Sequence, residues 1–297
     1  GSLIGLVKPL LHIMLAAIIL GTLGYLCAIF LTILAGQVIV HGLLTGVAGM
    51  IVPVDNMWRV FTPVKTIITV MIVIAVLRGI LHYVEQYCNH FIAFKLLAII
   101  RHKVFAALRK LCPAKLEGRD KGNLISIITT DIELLEVFYA HTISPIAIAT
   151  LTSIIMVIFI GRYHWLAGVI ALVAYLIVGV VIPMWNGKRG SQKGMEFRTN
   201  FGELNSFVLD SLRGLDETIQ YGQGEKRKEQ MSEHSKNLAG MQESLSKMEG
   251  SQRSFTNMVI LLASFGMLAL TIWLYDKGAM GFEGILTCTI AMMGSFG

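Results

Sequence analysis

The sequence predicts an all-α membrane protein with six long transmembrane helices and two cytoplasmic helical extensions. Its 297 residues are 55% hydrophobic and 15% charged, whereas soluble domains contain about 25% charged residues, and the mean hydropathy is +0.67. About 20 apolar residues are needed to cross a bilayer, and six apolar runs are candidate spans, the last of them cut short. We expect residues 1–297 to form one transmembrane domain, with spans at about 10–40, 64–88, 143–160, 165–184, 258–275 and 284–297, and cytoplasmic extensions at about 89–142 and 185–257.

The distribution of basic residues predicts the orientation in the membrane. Seven Lys and Arg residues lie in Arg101–Lys121 and eleven in Lys188–Arg253. The opposite side carries four, at Arg59, Lys65, Arg162 and Lys277. Because cytoplasmic loops are enriched in Lys and Arg, we expect both extensions and the N-terminus, which carries Lys8, to be cytoplasmic. Topology and anionic lipid account for the net charge of +6, so no nucleic-acid partner is predicted.

The second span is expected to continue far beyond the membrane. Val64–Leu111 contains no proline and a single glycine, Gly79. One helix of about 48 residues would be about 72 Å long at 1.5 Å per residue, and the hydrocarbon core is about 30 Å thick. More than half of this helix is therefore predicted to project into the cytoplasm.

The third and fourth spans are predicted to form a hairpin. Their turn, Gly161–His164, is too short to hold a domain. Pro183 is expected to kink the returning helix because proline lacks the amide hydrogen and its ring meets a preceding carbonyl. Later in the chain, a charged helix over Glu225–Arg253 is expected to lead into the outward crossing Met258–Tyr275, with a turn at Asp276–Gly278.

Each extension contains a short amphipathic segment. In the first, Pro113, Gly118 and Gly122 precede a helical run over Asn123–Glu136, which predicts helix, break, short helix and helix. A short amphipathic helix between two longer ones needs a partner groove for its apolar side. In the second extension, Gly214 interrupts an apolar stripe that Gly222–Gly224 ends. The members of that stripe are Leu204, Val208, Leu212, Leu215 and Ile219.

Two of these stretches resemble a known family. The run Gly122-Asn123-Leu124-Ile125-Ser126, followed by Thr129–Glu133, resembles the first intracellular loop of ATP-binding cassette (ABC) exporters. It departs from their pattern at Ile127, where a basic residue is usual. The stretch Val208–Ile219 resembles their second coupling region, and the order of spans matches along the whole chain.

The resemblance implies the transmembrane half of a type IV (type I exporter) ABC exporter, of the bacterial permease/ATP-binding fusion type, in the plasma membrane. It implies alternating access that moves a small solute, a second transmembrane half as a homo- or heterodimer partner, and nucleotide-binding domains that bind ATP and Mg²⁺. The residues it implies for coupling to those domains are Leu116, Glu117, Arg119, Asp120, Asn123, Asp131, Leu212, Arg213, Leu215 and Asp216.

The ATPase itself is not expected within these residues. Gly187-Lys188 is followed by Arg189, and Ile182 stands where the first glycine of a phosphate-binding loop belongs. We expect the nucleotide-binding domain to follow the sixth span or to be a separate subunit. A full-length protein that includes it is expected to be an ABC-type ATPase transporter, whereas no catalytic residues are predicted in this chain.

A polar stripe runs along the second span. Its members fall on one helix face, in the inner half of the bilayer and just below it: Arg78, His82, Glu85, Gln86 and Asn89. Polar groups in a membrane tend to face a cavity or one another. Two interpretations stay open: the wall of an inward-facing cavity for a polar or anionic solute, or an Arg78–Glu85 pair with side chains that extend to the interface.

Metal and catalytic motifs are not predicted. None of the eight histidines forms a pair such as H-E-x-x-H, and the four cysteines are scattered. Other functions remain open, namely a gradient-driven secondary carrier or channel without an ATPase, or a scaffold subunit that binds a partner. The sequence does not identify the substrate.

Overall fold

The computed structural model describes residues 8–49, 57–110, 130, 133–134 and 137–297. Every regular element in these residues is helical. A 3-10 turn at Lys8–Leu10 leads into the first helix, and π-helical turns occupy Tyr139–Ile143 and Ile177–Val181. The α-helices are α1 (Leu11–Gly49), α2 (Met57–Lys110), α3 (Ser144–Gly161), α4 (Trp165–Leu176), α5 (Ile182–Arg213), α6 (Leu215–Gln220), α7 (Gly224–Asp276) and α8 (Phe282–Gly294).

Five helical stretches of the described residues are long and apolar enough to cross a membrane. They are Lys8–Leu43, Val64–Lys110, His141–Gly161, Trp165–Arg213 and Gly224–Asp276. A shorter apolar helix, α8, has 13 residues, fewer than the about 20 that a full crossing needs. The predicted fold class, an all-α membrane protein, is confirmed.

Among the described residues the longest helix is α2, which has 54 residues, about 80 Å at 1.5 Å per residue. It begins at Met57, ahead of the predicted start at Val64, and therefore includes Pro63. A proline within a helix removes one backbone hydrogen bond, and here the helix continues through that loss.

The chain divides into two compact units, Gly1–Val169 with Met267–Gly297, and Ile170–Gly266. In the first unit, α1 packs against α2, α3 and α8. Small residues allow helices to approach closely. A Cβ atom at Gly21 would overlap Ile148 of α3, and one at Gly36 would overlap Ile290 of α8.

In the second unit, α5 and α7 run antiparallel and contact each other through side chains. Trp185 and Phe255 have ring centroids 6.0 Å apart, Asn200 Nδ2 lies 3.0 Å from Met241 Sδ, and Phe207 lies 5.3 Å from the ring of His234. From pair to pair, the residue numbers rise along α5 and fall along α7, which is the pattern of antiparallel helices. The two helices are joined by α6 and a turn at Gly222.

The segment before Pro183 is a π-helical turn, Ile177–Val181, and α5 begins at Ile182. One extra residue in a helical turn moves the carbonyl that the proline ring would otherwise meet. A π turn thus lies directly before Pro183, where the sequence predicts a kink.

Candidate functional site

A cavity of about 280 Å³ lies between α1 and α2 in the first unit. The α1 wall consists mainly of small residues, at spacings of three, one and three: Gly21, Gly24, Tyr25 and Ala28. The α2 wall has spacings of three, one, three and three: Ala75, Arg78, Gly79, His82 and Glu85. Both spacings select one helical face, so each wall belongs to a single side of its helix.

The absence of side chains creates this space. A Cβ atom at Gly24 would lie 3.7 Å from Leu81 Cβ, and a Cβ built at Gly79 would meet no described atom within 4 Å beyond the neighbouring backbone of its own helix. Two long polar side chains of α2, Arg78 and His82, face the gap that remains. The cavity is thus lined mainly by small residues of α1 and by three polar side chains of α2.

Glu85 is the last residue of α2 that lines the cavity. Its side chain is 8% exposed, and its Oε2 atom is 3.6 Å from Nδ1 of His82, whose side chain is 64% exposed. The basic side chain beside Glu85 is thus His82. The Arg78–Glu85 pair that the sequence suggested is not observed. A Cβ atom at Gly21 would lie 3.0 Å from the carboxyl group, so the glycine leaves room for this carboxylate.

The remaining two residues of the predicted stripe have other surroundings. Asn89 is buried, and its Oδ1 atom accepts a hydrogen bond from Ser144 Oγ at 3.3 Å. Gln86 is exposed and does not line the cavity. The structure brings together Arg78, His82 and Glu85, whereas Asn89 connects α2 to the start of α3.

Sequence reasoning did not assign the α1 wall to the site. The signal was present, because Gly21, Gly24 and Tyr25 interrupt an otherwise apolar span. The sequence could not show which face of α1 meets α2, since glycine and alanine are scattered around that helix.

The second predicted coupling region forms the tip between α5 and α7. Leu212 and Arg213 end α5, and Leu215 and Asp216 begin the short helix α6. The backbone at this tip is well bonded. Thr218 Oγ1 donates to the Gly214 carbonyl at 2.8 Å, and the Gln223 amide donates to the Thr218 carbonyl at 3.1 Å.

This tip exposes large apolar side chains. Leu212 is 63% exposed, Leu215 50%, Ile219 71% and Tyr221 77%. Exposed apolar groups in a cluster are typical of a surface that binds another protein. The stripe predicted from the sequence is present, and its tip is not covered by described residues of this chain.

The other predicted coupling residues lie outside the described residues. They are Leu116, Glu117, Arg119, Asp120, Asn123 and Asp131. Among the residues that the structure does describe, no group of three or more His, Cys, Asp or Glu side chains could hold a metal ion.

Five membrane-length helical stretches in the described part of the chain, two of which line a partly polar cavity, define a multispanning α-helical membrane domain. The family model for the ABC transporter transmembrane region matches residues 10–296. The chain belongs to this family, and the family resemblance predicted from the sequence is confirmed.

Several curated bacterial proteins are similar to the chain. A "Probable ABC transporter ATP-binding/permease protein" of Haemophilus influenzae is 39% identical over 100% of this chain and 51% of its own length. An "ATP-dependent lipid A-core flippase" of Pasteurella multocida is 25% identical over 77% of this chain and 40% of its own length. The "Glutathione/L-cysteine transport system ATP-binding/permease protein CydD" of Escherichia coli is 24% identical over 53% of this chain and 26% of its own length. The chain therefore spans about half the length of the first of these relatives.

Proposed function

We propose that this chain is the membrane-spanning permease part of an ATP-driven exporter. It would move a small solute by alternating access and would be coupled to a nucleotide-binding domain outside these residues. That domain would bind ATP, in keeping with the relatives that are named ATP-binding/permease proteins, and would bind Mg²⁺ with it. The family match disfavours a gradient-driven carrier or channel.

The observation that carries the proposal is the exposed apolar tip between α5 and α7. A tip made of Leu212, Leu215, Ile219 and Tyr221 is costly to leave in water, because about 25 cal/mol is lost for each Å² of apolar surface that stays exposed. A nucleotide-binding domain that covers these side chains would recover that free energy. Burial of the tip would also fix the position of the domain against α6.

The proposed mechanism uses long helices as levers. α7 is continuous over 53 residues, about 80 Å, and begins next to the tip. When ATP closes two nucleotide-binding domains, they would pull on Ala114–Ser126 and Ser211–Ile219. Rigid elements transmit such displacements because packed helices move as bodies. The opening of the cavity would then change sides.

We further propose a second transmembrane half as the partner, with the N-terminus and both extensions in the bacterial cytoplasm. In this arrangement residues 1–297 form one transmembrane domain with six spans. The α1–α2 cavity, with Arg78, His82 and Glu85, would contribute to the solute pathway, and Gln86 and Asn89 would continue the same helix face toward the cytoplasm.

The tip is tested in the natural full-length protein by the substitution Ile219→Asp. A carboxylate in a buried apolar interface is strongly unfavourable. We therefore expect ATP hydrolysis by the purified, membrane-reconstituted protein to fall at least about tenfold. A loss of about 1.4 kcal/mol in the interaction with the nucleotide-binding domain already corresponds to that factor. Met195→Asp is the matched control, because Met195 is 68% exposed on α5, away from the tip. Equal hydrolysis by both variants would contradict the proposed docking surface.

A further inference from the structure

A second cavity lies within the second unit, between α5 and α7. Its volume is about 590 Å³, within the range of about 300–1,000 Å³ typical of small-ligand sites. Asn186, Arg189 and Lys193 line it from α5, and residues from Gly240 to Gln252 line it from α7. It shares no lining residue with the α1–α2 cavity or the apolar tip.

This α5–α7 cavity has an excess of positive charge. Three basic side chains line it, against the single carboxylate of Glu243. Lys247 Nζ lies 2.7 Å from Glu243 Oε1, so this pair is neutral. Arg189 and Lys193 have no carboxylate partner within 4.0 Å among the described residues, and the Arg189 guanidinium instead lies 4.8 Å from the ring centroid of Trp185. Two positive charges are therefore free to bind an anion.

Neutral donors face the same space. The Nε2 atom of Gln252 is enclosed and has no hydrogen-bond partner among the described residues, which is costly for a polar group unless a ligand or water accepts the bond. Asn186 supplies another amide donor. Lys193 Nζ donates a hydrogen bond to Ser244 Oγ at 3.5 Å, which holds this lysine at the cavity. Several N–H donors around two cations match a ligand with several anionic oxygens, such as a phosphate.

The cavity begins where the apolar spans end. The fourth apolar run ends at about residue 184 and the fifth begins at about residue 258. Trp185 and Phe255 contact each other edge to face at this level, and Trp is enriched at membrane–water interfaces. Asn186 and Gln252 follow directly on the polar side, which the distribution of Lys and Arg places in the cytoplasm. The cations therefore stand at the depth of lipid headgroups.

We propose that the α5–α7 cavity binds the phosphate of an anionic phospholipid of the cytoplasmic leaflet. Arg189 and Lys193 contact the phosphate oxygens, and the Gln252 amide donates to the same group. Basic pockets between membrane helices on the cytoplasmic side are suited to anionic headgroups, and the adjacent aromatic pair lies beside the start of the acyl chains. The proposal depends on the membrane spans and not on ATP-driven transport.

The test measures lipid retention by the purified full-length protein. Phosphatidylglycerol and phosphatidylcholine are added in equal amounts in detergent, and the bound lipids are counted by native mass spectrometry. We expect phosphatidylglycerol to be retained preferentially, and the double variant Arg189→Gln, Lys193→Gln to lower its affinity by about tenfold or more, since each basic residue near a headgroup contributes to binding.

The matched control is Lys188→Gln, Arg198→Gln. It removes one lysine and one arginine from exposed positions on α5 that do not line the cavity. Retention of phosphatidylglycerol by this variant should equal that of the wild type. Gln252→Glu preserves side-chain size and adds a negative charge to the cavity, so it should also release phosphatidylglycerol.

Two results would overturn the proposal. The first is equal loss of phosphatidylglycerol in both double variants, which would indicate a diffuse charge effect. The second is preferential binding of inorganic phosphate, measured by calorimetry, with no retention of phosphatidylglycerol. That result would assign the cavity to a free anion.

Discussion

At the residue scale, two glycines allow α3 and α4 to approach each other closely. Gly161 ends α3, and Gly168 lies in the early part of α4. A Cβ atom at Gly168 would lie 2.9 Å from Gly161 Cα and 3.4 Å from its amide nitrogen, whereas a Cβ atom at Gly161 would lie 3.8 Å from Gly168 Cα. The contact is asymmetric, because only the Gly168 methyl would press on backbone atoms.

This asymmetry predicts different effects for two similar substitutions. Gly168→Ala should lower the free energy of unfolding by about 1–3 kcal/mol, the usual cost of overpacking, because the backbone of Gly161 has to move. Gly161→Ala places a methyl group at ordinary contact distance and should be nearly neutral. The measurement is the midpoint of thermal unfolding of each purified variant in the same detergent. Identical midpoints would show that the helices separate without cost at this point.

The α1–α2 cavity shows how far single residues could be predicted. Arg78, His82 and Glu85 could be found from the sequence, because charged side chains in an apolar run are conspicuous and their spacing fixes one helix face. Gly21 and Ala28 could not, since their role depends on the rotation of α1 against α2. One sequence interpretation pairs Glu85 with Arg78, whereas the structure places His82, one turn away, beside it.

At the scale of elements, a glycine in the left-handed backbone region shapes the turn between α6 and α7. Gly222 has φ of +64°, a region that costs other residues roughly 1–2 kcal/mol. Gly224 lies two residues later and has no positive φ, and a Cβ built there would meet no described atom within 4 Å beyond the neighbouring backbone. The two glycines are thus a matched pair within one turn.

Gly222→Ala should therefore loosen the tip, whereas Gly224→Ala should not. The exposed basic residues Lys226 and Lys228 make trypsin cleavage a local reporter of opening. We expect faster cleavage after these residues in Gly222→Ala and a wild-type rate in Gly224→Ala. Gly222→Asn should be intermediate, because asparagine tolerates the left-handed region better than alanine. Equal cleavage of all variants would mean that the turn conformation does not limit opening.

Helix ends were predictable where glycine or a turn marks them, and less so elsewhere. The breaks at Gly214 and Gly222 follow from local chemistry and are observed. The π turn at Ile177–Val181 was not predicted, since Pro183 indicates a disturbance but the neighbouring packing decides its form. The start of α2 at Met57 was missed because the predicted helix was limited to the proline-free run that begins at Val64.

At the scale of the whole molecule, the membrane-length helices and the family match support a transport domain, and alternating access is the proposed movement. Such a movement changes the access of water to the α1–α2 cavity. Ala75 lines this cavity, whereas Val73, two residues away on α2, is 60% exposed on an apolar face outside it. Neighbouring positions can thus distinguish the cavity from the lipid-facing surface.

The last prediction concerns access to Ala75. The native cysteines are first replaced by serine, at Cys27, Cys88, Cys112 and Cys288. In inside-out membrane vesicles that contain the full-length protein, a membrane-impermeant maleimide should label Ala75→Cys, because the cavity is expected to open to the cytoplasm at rest, and should leave Val73→Cys unlabelled. ATP with vanadate should slow the labelling of Ala75→Cys several-fold.

The exposed position Ser232→Cys on α7 is the control whose labelling should not respond to nucleotide. If Ala75→Cys and Ser232→Cys responded alike, or if Ala75→Cys were never labelled, the α1–α2 cavity would be a packing gap and the solute pathway would lie elsewhere.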